Sequence, residues 1–399
     1  FDWKFADWDG SATDTGTTPD GGKTWSFTIR DGATFQDGSP VTCADIAYGV
    51  SRTFATDIIT GGPTYAISML DIPDDPAGGS AYKGPYAKTG QDLYDKAVTC
   101  SSDGKTVTFH LKRPVPDFNY TVTLTAFSPV PQKADTGEKY GDAPVSSGPY
   151  MSQSNQTGKG GKMVMVRNPK WNADSDTYRG AYPDTWEVDY GIDPKVIDQR
   201  LIAGSGNDAT AINLAIQPEQ DTVVFQDPAT PQAQFKGRAI SAYDPQNPTN
   251  DKAAAIIVAS EAKAGITVKP NPIEPGKYYS TVFDPEKAHE LINAGWAPDW
   301  PNASTIIPEL FTPSGGFNLS QYDNKEFNAA SDAAKIEPDR NKQATMWQDL
   351  NKKAMQDVVA IPTRFGLTQR MAGPKIGTDS VYLWPAYGSW PYAQMYVTK

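Results

Sequence analysis

Two short stretches in the first third of the chain alternate polar and apolar residues with a period of two. Residues 20–30 read DGGKTWSFTIR and set Trp25, Phe27 and Ile29 on one face. Residues 103–113 read DGKTVTFHLKR and do the same with Val107, Phe109 and Leu111. Each opens on an Asp-Gly turn, so both are expected to be half-buried strands, sisters in one sheet. DGATFQDG extends the first as a hairpin, with Gly32 and Gly38 able to take positive φ. A helix is expected over CADIAYGVSRTF, with Ile46, Val50 and Phe54 on one face. Thr42 caps it, and Asp45 follows at a capping-box-like spacing. Residues 56–92 are rich in Gly, Pro and Asp and read as long loops. Asp71, Asp74 and Asp75 lie there, but without the alternating oxygen ligands and terminal Glu of a calcium loop, so they read as a solvated acidic loop.

A third alternating strand, KMVMVRNPKW, follows the SSGPY turn at 146–150, with Asn155 to Gly161 as the hairpin tip. VIDQRLIAGSGND reads as a short helix ending at a glycine. Residues 226–250 hold QDPATPQ and DPQNPTN, a composition shift that suits a domain crossing. The period then becomes helical. KAAAIIVASEAKAG is expected to be a helix ending at Gly265, followed at once by the strand ITVKP, a helix–strand step of an α/β layer. DNKEFNAASDAAK is a second helix, with Asp323 as N-cap and Glu326 completing a capping box. RNKQATMWQDLNKKAMQDV is a third, with Ala344, Trp347, Leu350, Ala354 and Val358 as its core stripe. AIPTRF is the exit strand. DPEKAHELI fits a capped helix while the overlapping HELINAGW fits a strand, and periodicity alone does not choose.

Length changes the picture from one core to two or three domains, because 399 residues exceed what a single core organises. Charge narrows the partners. Lys plus Arg number 36 against 47 Asp plus Glu, a net charge of −11, which suits neither nucleic acid nor anionic lipid. Mean hydropathy is −0.52, and no apolar run reaches the roughly 18 residues of a membrane span. The chain opens at Phe1 with no basic, apolar leader, as a mature or trimmed chain would. Cys43 and Cys100 make no disulfide framework and no zinc site. As one disulfide they imply an oxidising, extracytoplasmic setting; the alternative is two buried free thiols.

Catalytic chemistry has little to stand on. His110 and His289 are the two histidines, and neither lies beside a nucleophile motif. G-x-S-x-G, Walker, G-x-G-x-x-G and H-E-x-x-H patterns are all missing. Paired carboxylates for glycoside hydrolysis are not dismissed by counting, because acids are plentiful. The 10 Trp and 19 Tyr fit a large core or an aromatic-lined cleft equally well. AGWAPDW, residues 294–300, sets Asp299 between Trp296 and Trp300. That arrangement suits a ligand with an apolar body and one positive end. It also suits an ordinary core loop.

TWSFTIRDGATFQDGSPVTCADIAYGVSRTF resembles the signature of the family 5 extracellular solute-binding proteins, the peptide-binding subunits of ABC importers. That signature is an aromatic strand, an R-D-G-x-x-F-x-D-G hairpin, then P-V-T-A-x-D opening a helix. SSGPYM with VRNPKW, then KAGITV, AGWAPDWPN and VVAIPTRF, are similar to further family segments in the same order. The wording looks most like the actinobacterial oligopeptide-binding branch. Cys43 stands where the family often has Ala, which reads as a branch-specific disulfide to Cys100.

The resemblance implies an α/β, two-lobed periplasmic-binding-protein-like fold of type II, in the large cluster with an extra subdomain in lobe I and a ligand cleft between the lobes. Lobe I would take residues 1–240, with the β-rich subdomain at about 23–145; lobe II would take 241–365; residues 366–399 would return to lobe I. Hinge crossings would fall near 236–250 and 362–375. It further implies a monomeric, extracellular, cell-surface receptor, not an enzyme, with no cofactor and no metal. A lipid anchor upstream of residue 1 would hold it to the membrane, and it would deliver peptides to ABC permease subunits. Residue by residue, Asp299 would take the peptide α-ammonium, Gly295 and Ala297 would offer backbone hydrogen bonds, and Trp296 would wall a side-chain pocket. Trp300 and Trp384 are further ligand-binding candidates, with a purely packing Trp300 as the alternative; Tyr387 and Trp390 lie near the return to lobe I. Asp299 as the cap of the Trp300-Pro301-Asn302 corner is the structural alternative. An oligosaccharide or other small solute is the alternative ligand in the same fold, with tryptophans as stacking platforms.

Overall fold

Three strands, β1 (Thr24–Thr28), β2 (Val98–Cys100) and β3 (Thr106–His110), form an antiparallel sheet in the order β1-β3-β2. The sister strands pair directly, with Trp25 opposite Phe109 and Phe27 opposite Val107. This register gathers their apolar residues on one face, where Trp25, Val107 and Phe109 are buried. β2 has three residues, too few for alternation to register in a sequence. This computed structural model describes residues 16–59, 64–176, 179–212, 248–263, 295–362, 371–382 and 390–398, with single positions and short runs between 265 and 292.

Four helices cover the apolar face or its ends: α1 (Cys43–Arg52), α2 (Tyr65–Met69), α3 (Gln91–Ala97) and α4 (Phe118–Thr121). At the start of α1 the Asp45 carboxylate accepts from the Thr42 N–H at 2.9 Å and the Thr42 hydroxyl at 2.7 Å, as the capping spacing foretold. Gly49 lets α1 settle onto the following chain, since a Cβ there would lie 2.0 Å from the Ser128 carbonyl oxygen. Phe109, Phe118 and Phe127 meet edge to face, with centroids 5.4 to 5.8 Å apart, and fill the centre of this core. Cys43 and Cys100 form a disulfide. It joins the first residue of α1 to the last residue of β2, so the tie lands on a strand rather than in the turn that follows. The stretch expected to be loop contains α2, whose five residues carry no readable period. Its acids are solvated ion pairs, with Asp74 on Lys112 at 2.7 Å and Asp75 on Lys83 at 2.8 Å.

A second antiparallel sheet runs β4-β5-β6, with β4 (Tyr150–Asn155), β5 (Lys162–Arg167) and β6 (Thr185–Asp189). The β4–β5 hairpin matches expectation; β6 was not anticipated. α5 (Pro194–Ala203) starts where the Asp193 carboxylate accepts from the Lys195 N–H at 2.9 Å, and it ends at Gly204. α6 (Pro248–Lys263) leaves Ile256 69% exposed. The strand expected after it does not form at 267–270, the described part of ITVKP. Strand dihedrals need a ladder partner for their N–H and C=O groups, and none is there among the described residues.

After α7 (Tyr278–Val282), a helical body assembles from α8 (Ile307–Phe311), α9 (Lys325–Lys335) and α10 (Arg340–Gln356). Ile307, Phe311, Phe327, Ala334, Trp347, Leu350 and Ala354 form its core. The α9 cap is Asn324, whose side-chain oxygen accepts from the N–H groups of Glu326 at 3.0 Å and Phe327 at 3.1 Å. Asp323 instead accepts from the Asn328 side chain at 2.8 Å, so the expected cap is displaced by one residue. The α10 stripe also shifts at its ends. Gln343 is buried in place of Ala344, which is exposed, and Val358 lies beyond the helix at 66% exposure. Trp390 packs with Ile376 and Met395 in a small core near the end of the described chain. The 226–247 composition shift, the exit strand past Pro362 and most of the helix-or-strand segment at 285–294 lie outside the described residues.

The disulfide closes a sequence separation of 57 residues, for which loop entropy gives about 4 kcal/mol as an upper figure. A Cys43→Ala/Cys100→Ala double variant is therefore expected to lose about 2–4 kcal/mol. Urea unfolding followed by tryptophan fluorescence, with the parent under oxidising and reducing conditions as reference, reads the loss.

Candidate functional site

The corner at 295–305 faces α2, and a hydrogen bond spans them. The Tyr65 hydroxyl donates to Asp299 Oδ2 at 2.5 Å. Backbone geometry holds the acid from below, with the Asp299 N–H donating to Thr305 Oγ1 at 3.0 Å. Trp296 is fixed by its indole N–H, which donates to the Thr305 carbonyl at 2.6 Å, and by the Phe317 ring 4.4 Å away. The corner is capped by Asn302, whose side chain accepts from the Ser304 N–H at 2.9 Å. Gly295 and Ala297 are exposed, Trp296 and Asp299 half-buried. The structure thus brings four of the residues singled out in the sequence to one ledge, with a carboxylate, a ring and two exposed backbone positions.

Trp300 is placed differently. It is 3% exposed, its ring lies 5.0 Å from that of Tyr65, and it joins the core beneath the first sheet. Its indole N–H is shared between Asp117 Oδ2 and Ser304 Oγ, each at 3.2 Å. Trp300 is therefore packed in the floor of the corner and presents no open wall. Trp384 and Tyr387 lie outside the described residues, and Trp390 is buried.

Asp117, just before α4, is buried and receives three donors from the second half of the chain. Besides Trp300 these are the Ser304 hydroxyl, at 3.1 Å, and the Arg340 guanidinium in an ion pair. Arg340 also donates to Gln343 Oε1 at 3.0 Å, which accepts from Asn302 at 2.8 Å; the Gln343 amide in turn donates to the Ala334 carbonyl at 2.9 Å. The floor of the corner is thus a polar network joining the sheet body to the helical body. Neither Asp117 nor Tyr65 carried a sequence signal: each becomes part of the site only by meeting residues some two hundred positions away.

Burial holds the Asp299 carboxyl above its ordinary value of 3.8, and the Tyr65 hydrogen bond offsets part of that. Nearby Glu309 is also pushed up, chiefly by burial. A desolvated carboxylate is a receptor for a hydrogen-bonding cation, since the cation supplies the charge that water no longer screens. Among the described residues no group of three or more His, Cys, Asp or Glu could hold a metal ion, and no helix is long and apolar enough to cross a membrane.

The pattern of the bacterial extracellular solute-binding proteins, family 5 Middle, matches residues 9–237, and the chain belongs to that family. Its members are extracytoplasmic solute-binding proteins. Oligopeptide-binding protein OppA of Bacillus subtilis (strain 168) is 31% identical over 147 residues, 36% of this chain and 25% of that protein; the chain thus matches about a quarter of that relative's length. The solved structure of clavulanic acid biosynthesis oligopeptide binding protein 2 superposes with a TM-score of 0.75 at 26% identity, covering 96% of this chain and 85% of that one. Burkholderia pseudomallei OppA superposes at 0.70 with 15% identity, covering 97% and 90%. The fold is the two-lobed α/β architecture of these binding proteins.

Arg340→Gln removes the counter-charge of a carboxylate that is 5% exposed, while the arginine itself is half in solvent. The expected cost is about 1–2 kcal/mol, below that of a fully buried pair. Guanidinium unfolding at neutral pH measures it.

Proposed function

We propose that this chain is the substrate-binding protein of an ABC importer, capturing oligopeptides in the interlobe cleft and delivering them to a membrane permease. Asp299 carries the reading. It is a half-buried carboxylate oriented by Tyr65, beside the exposed backbone of Gly295 and Ala297 and the ring of Trp296. A peptide α-ammonium suits such a desolvated carboxylate, in a charge-assisted hydrogen bond of about 1.5–3 kcal/mol. The extended peptide pairs with the backbone at Gly295 and Ala297 as an added strand would, which gives affinity without reading sequence. Trp296 walls a side-chain pocket, Trp300 supports the corner from below, and Trp384 remains a further ligand-binding candidate. The relatives named for oligopeptides favour a peptide over a sugar.

In this reading residues 1–240 and 366–399 form one lobe and 241–365 the other. The ligand stabilises the closed arrangement by binding it better than the open one. The closed form is what the permease meets.

Mass spectrometry of whatever leaves the purified protein on denaturation is expected to show short peptides; an oligosaccharide instead would overturn the reading. In titration calorimetry, N-acetylated peptides are expected to bind at least roughly tenfold more weakly than their free-amine parents, and Asp299→Asn to weaken the free peptides similarly. Equal affinity for acetylated and free peptides removes Asp299 as the amine anchor. The pH dependence has a definite sign. The free carboxyl titrates above 3.8, and a bound ammonium lowers its pKa, so binding expels the proton. Affinity is then full above the free-protein pKa and falls on acidification through it, beginning at a higher pH than an ordinary aspartate would give.

A further inference from the structure

Beneath Tyr65, between the sheet body and the helical body, lies a small cavity of about 30 Å³. That is room for about two water molecules, or the head of one carboxylate group. Tyr65, Arg113, Asp117, Trp300, Glu309 and Lys335 are among the residues lining it. The same Tyr65 that holds Asp299 therefore forms the partition between the proposed amine site and this chamber.

The charges around the chamber are unevenly answered. Asp117 is engaged by Arg340, Trp300 and Ser304. Lys335, with its side chain 12% exposed, donates to Asp332 at 3.0 Å. Glu309 accepts from the Gly316 N–H at 3.0 Å. Arg113 has its Nε buried with no hydrogen-bond partner. A guanidinium is a rigid fork of donors that fits a carboxylate, and leaving such a donor buried and unmet is costly. Burial pulls Arg113 and Lys335 below their usual values, and the repulsion of Arg113 adds to the effect on Lys335. Burial pushes the Glu309 carboxyl up, and Glu309 and Asp332 offset part of the charge on Arg113.

We propose that Arg113 and Lys335 form a carboxylate subsite, selecting peptides whose first residue has an acidic side chain. This inference rests on the reading of Asp299 as the amine anchor, because it places the acid two or three carbons from the amine on the other side of Tyr65. A carboxylate entering the chamber accepts hydrogen bonds from the Arg113 guanidinium. Arg113 and Lys335 thereby determine specificity, while Asp299 holds what all the peptides share.

Titration calorimetry with Glu-Ala-Ala and its near-isostere Gln-Ala-Ala tests this. The Glu-first peptide is expected to bind roughly tenfold or more tightly. The ratio should fall to near one in Arg113→Gln and be partly retained in Arg113→Lys, with near-ultraviolet circular dichroism confirming that each variant is folded. Equal affinities in the parent overturn the subsite and leave the peptide reading standing. A preference that persists in Arg113→Gln also overturns it. Amidating the peptide C-terminus separates the two sources of a carboxylate: a preference surviving amidation supports the side chain, and one abolished by it overturns that assignment. Should none of these peptides bind, the peptide reading fails, and glutarate alone decides the chamber. A rise in the unfolding temperature of the parent but not of Arg113→Gln upholds an anion subsite, and no rise overturns it.

Discussion

The buried carboxylate of Asp117 is what the corner depends on. An anion with so little access to water must be met by donors, and all three come from the other half of the chain: an indole N–H, a hydroxyl and a guanidinium. Their convergence fixes where Trp300 can lie. Trp300 then buries its ring against Tyr65 while its N–H points at the acid, so one side chain satisfies packing and polarity together. Asp299 precedes Trp300 in the chain, and its aim follows from that anchor. The ledge of Gly295, Trp296 and Ala297 is therefore positioned by an ion pair that a ligand there need never touch.

The same network explains why a polar residue takes a core position in α10. Gln343 accepts from Asn302 and Arg340 and donates to Ala334. A helix stripe read from apolar spacing favours Ala344, because periodicity rewards hydrophobicity alone. The three hydrogen bonds that make Gln343 a core residue involve partners from three separate segments. Asn324 and Asp323 illustrate a finer limit. Both side chains can cap a helix, and only the path of the chain into α9 decides between them.

What could be read from the sequence was local or periodic. β1 and β3 showed themselves by alternation, the start of α1 by its Thr42–Asp45 spacing, and the β4–β5 hairpin by its turn. Alternation failed for ITVKP, where the pattern exists but no partner strand is described. It was silent on β2 and α2, which are too short to hold a period. The site divides the same way. Asp299 stands out between two tryptophans, and family resemblance makes it a candidate. Tyr65 and Asp117 stand in stretches with no motif at all, and their importance arises from contacts made over distances in sequence that no window spans.

The phenol on Asp299 has a consequence for timing. A bare desolvated carboxylate would grip an ammonium for as long as the charge went otherwise unanswered. Here Tyr65 already answers part of it, so an amine arriving as proposed would improve an interaction that exists rather than create one from nothing. The same hydroxyl is in place to solvate the acid as the amine departs, which lowers the barrier to leaving. Because differences in affinity among related complexes reside mostly in the rate of dissociation, in the proposed role of Asp299 this one hydrogen bond would shorten the stay of a bound amine, and a carrier is useful only if it can let go.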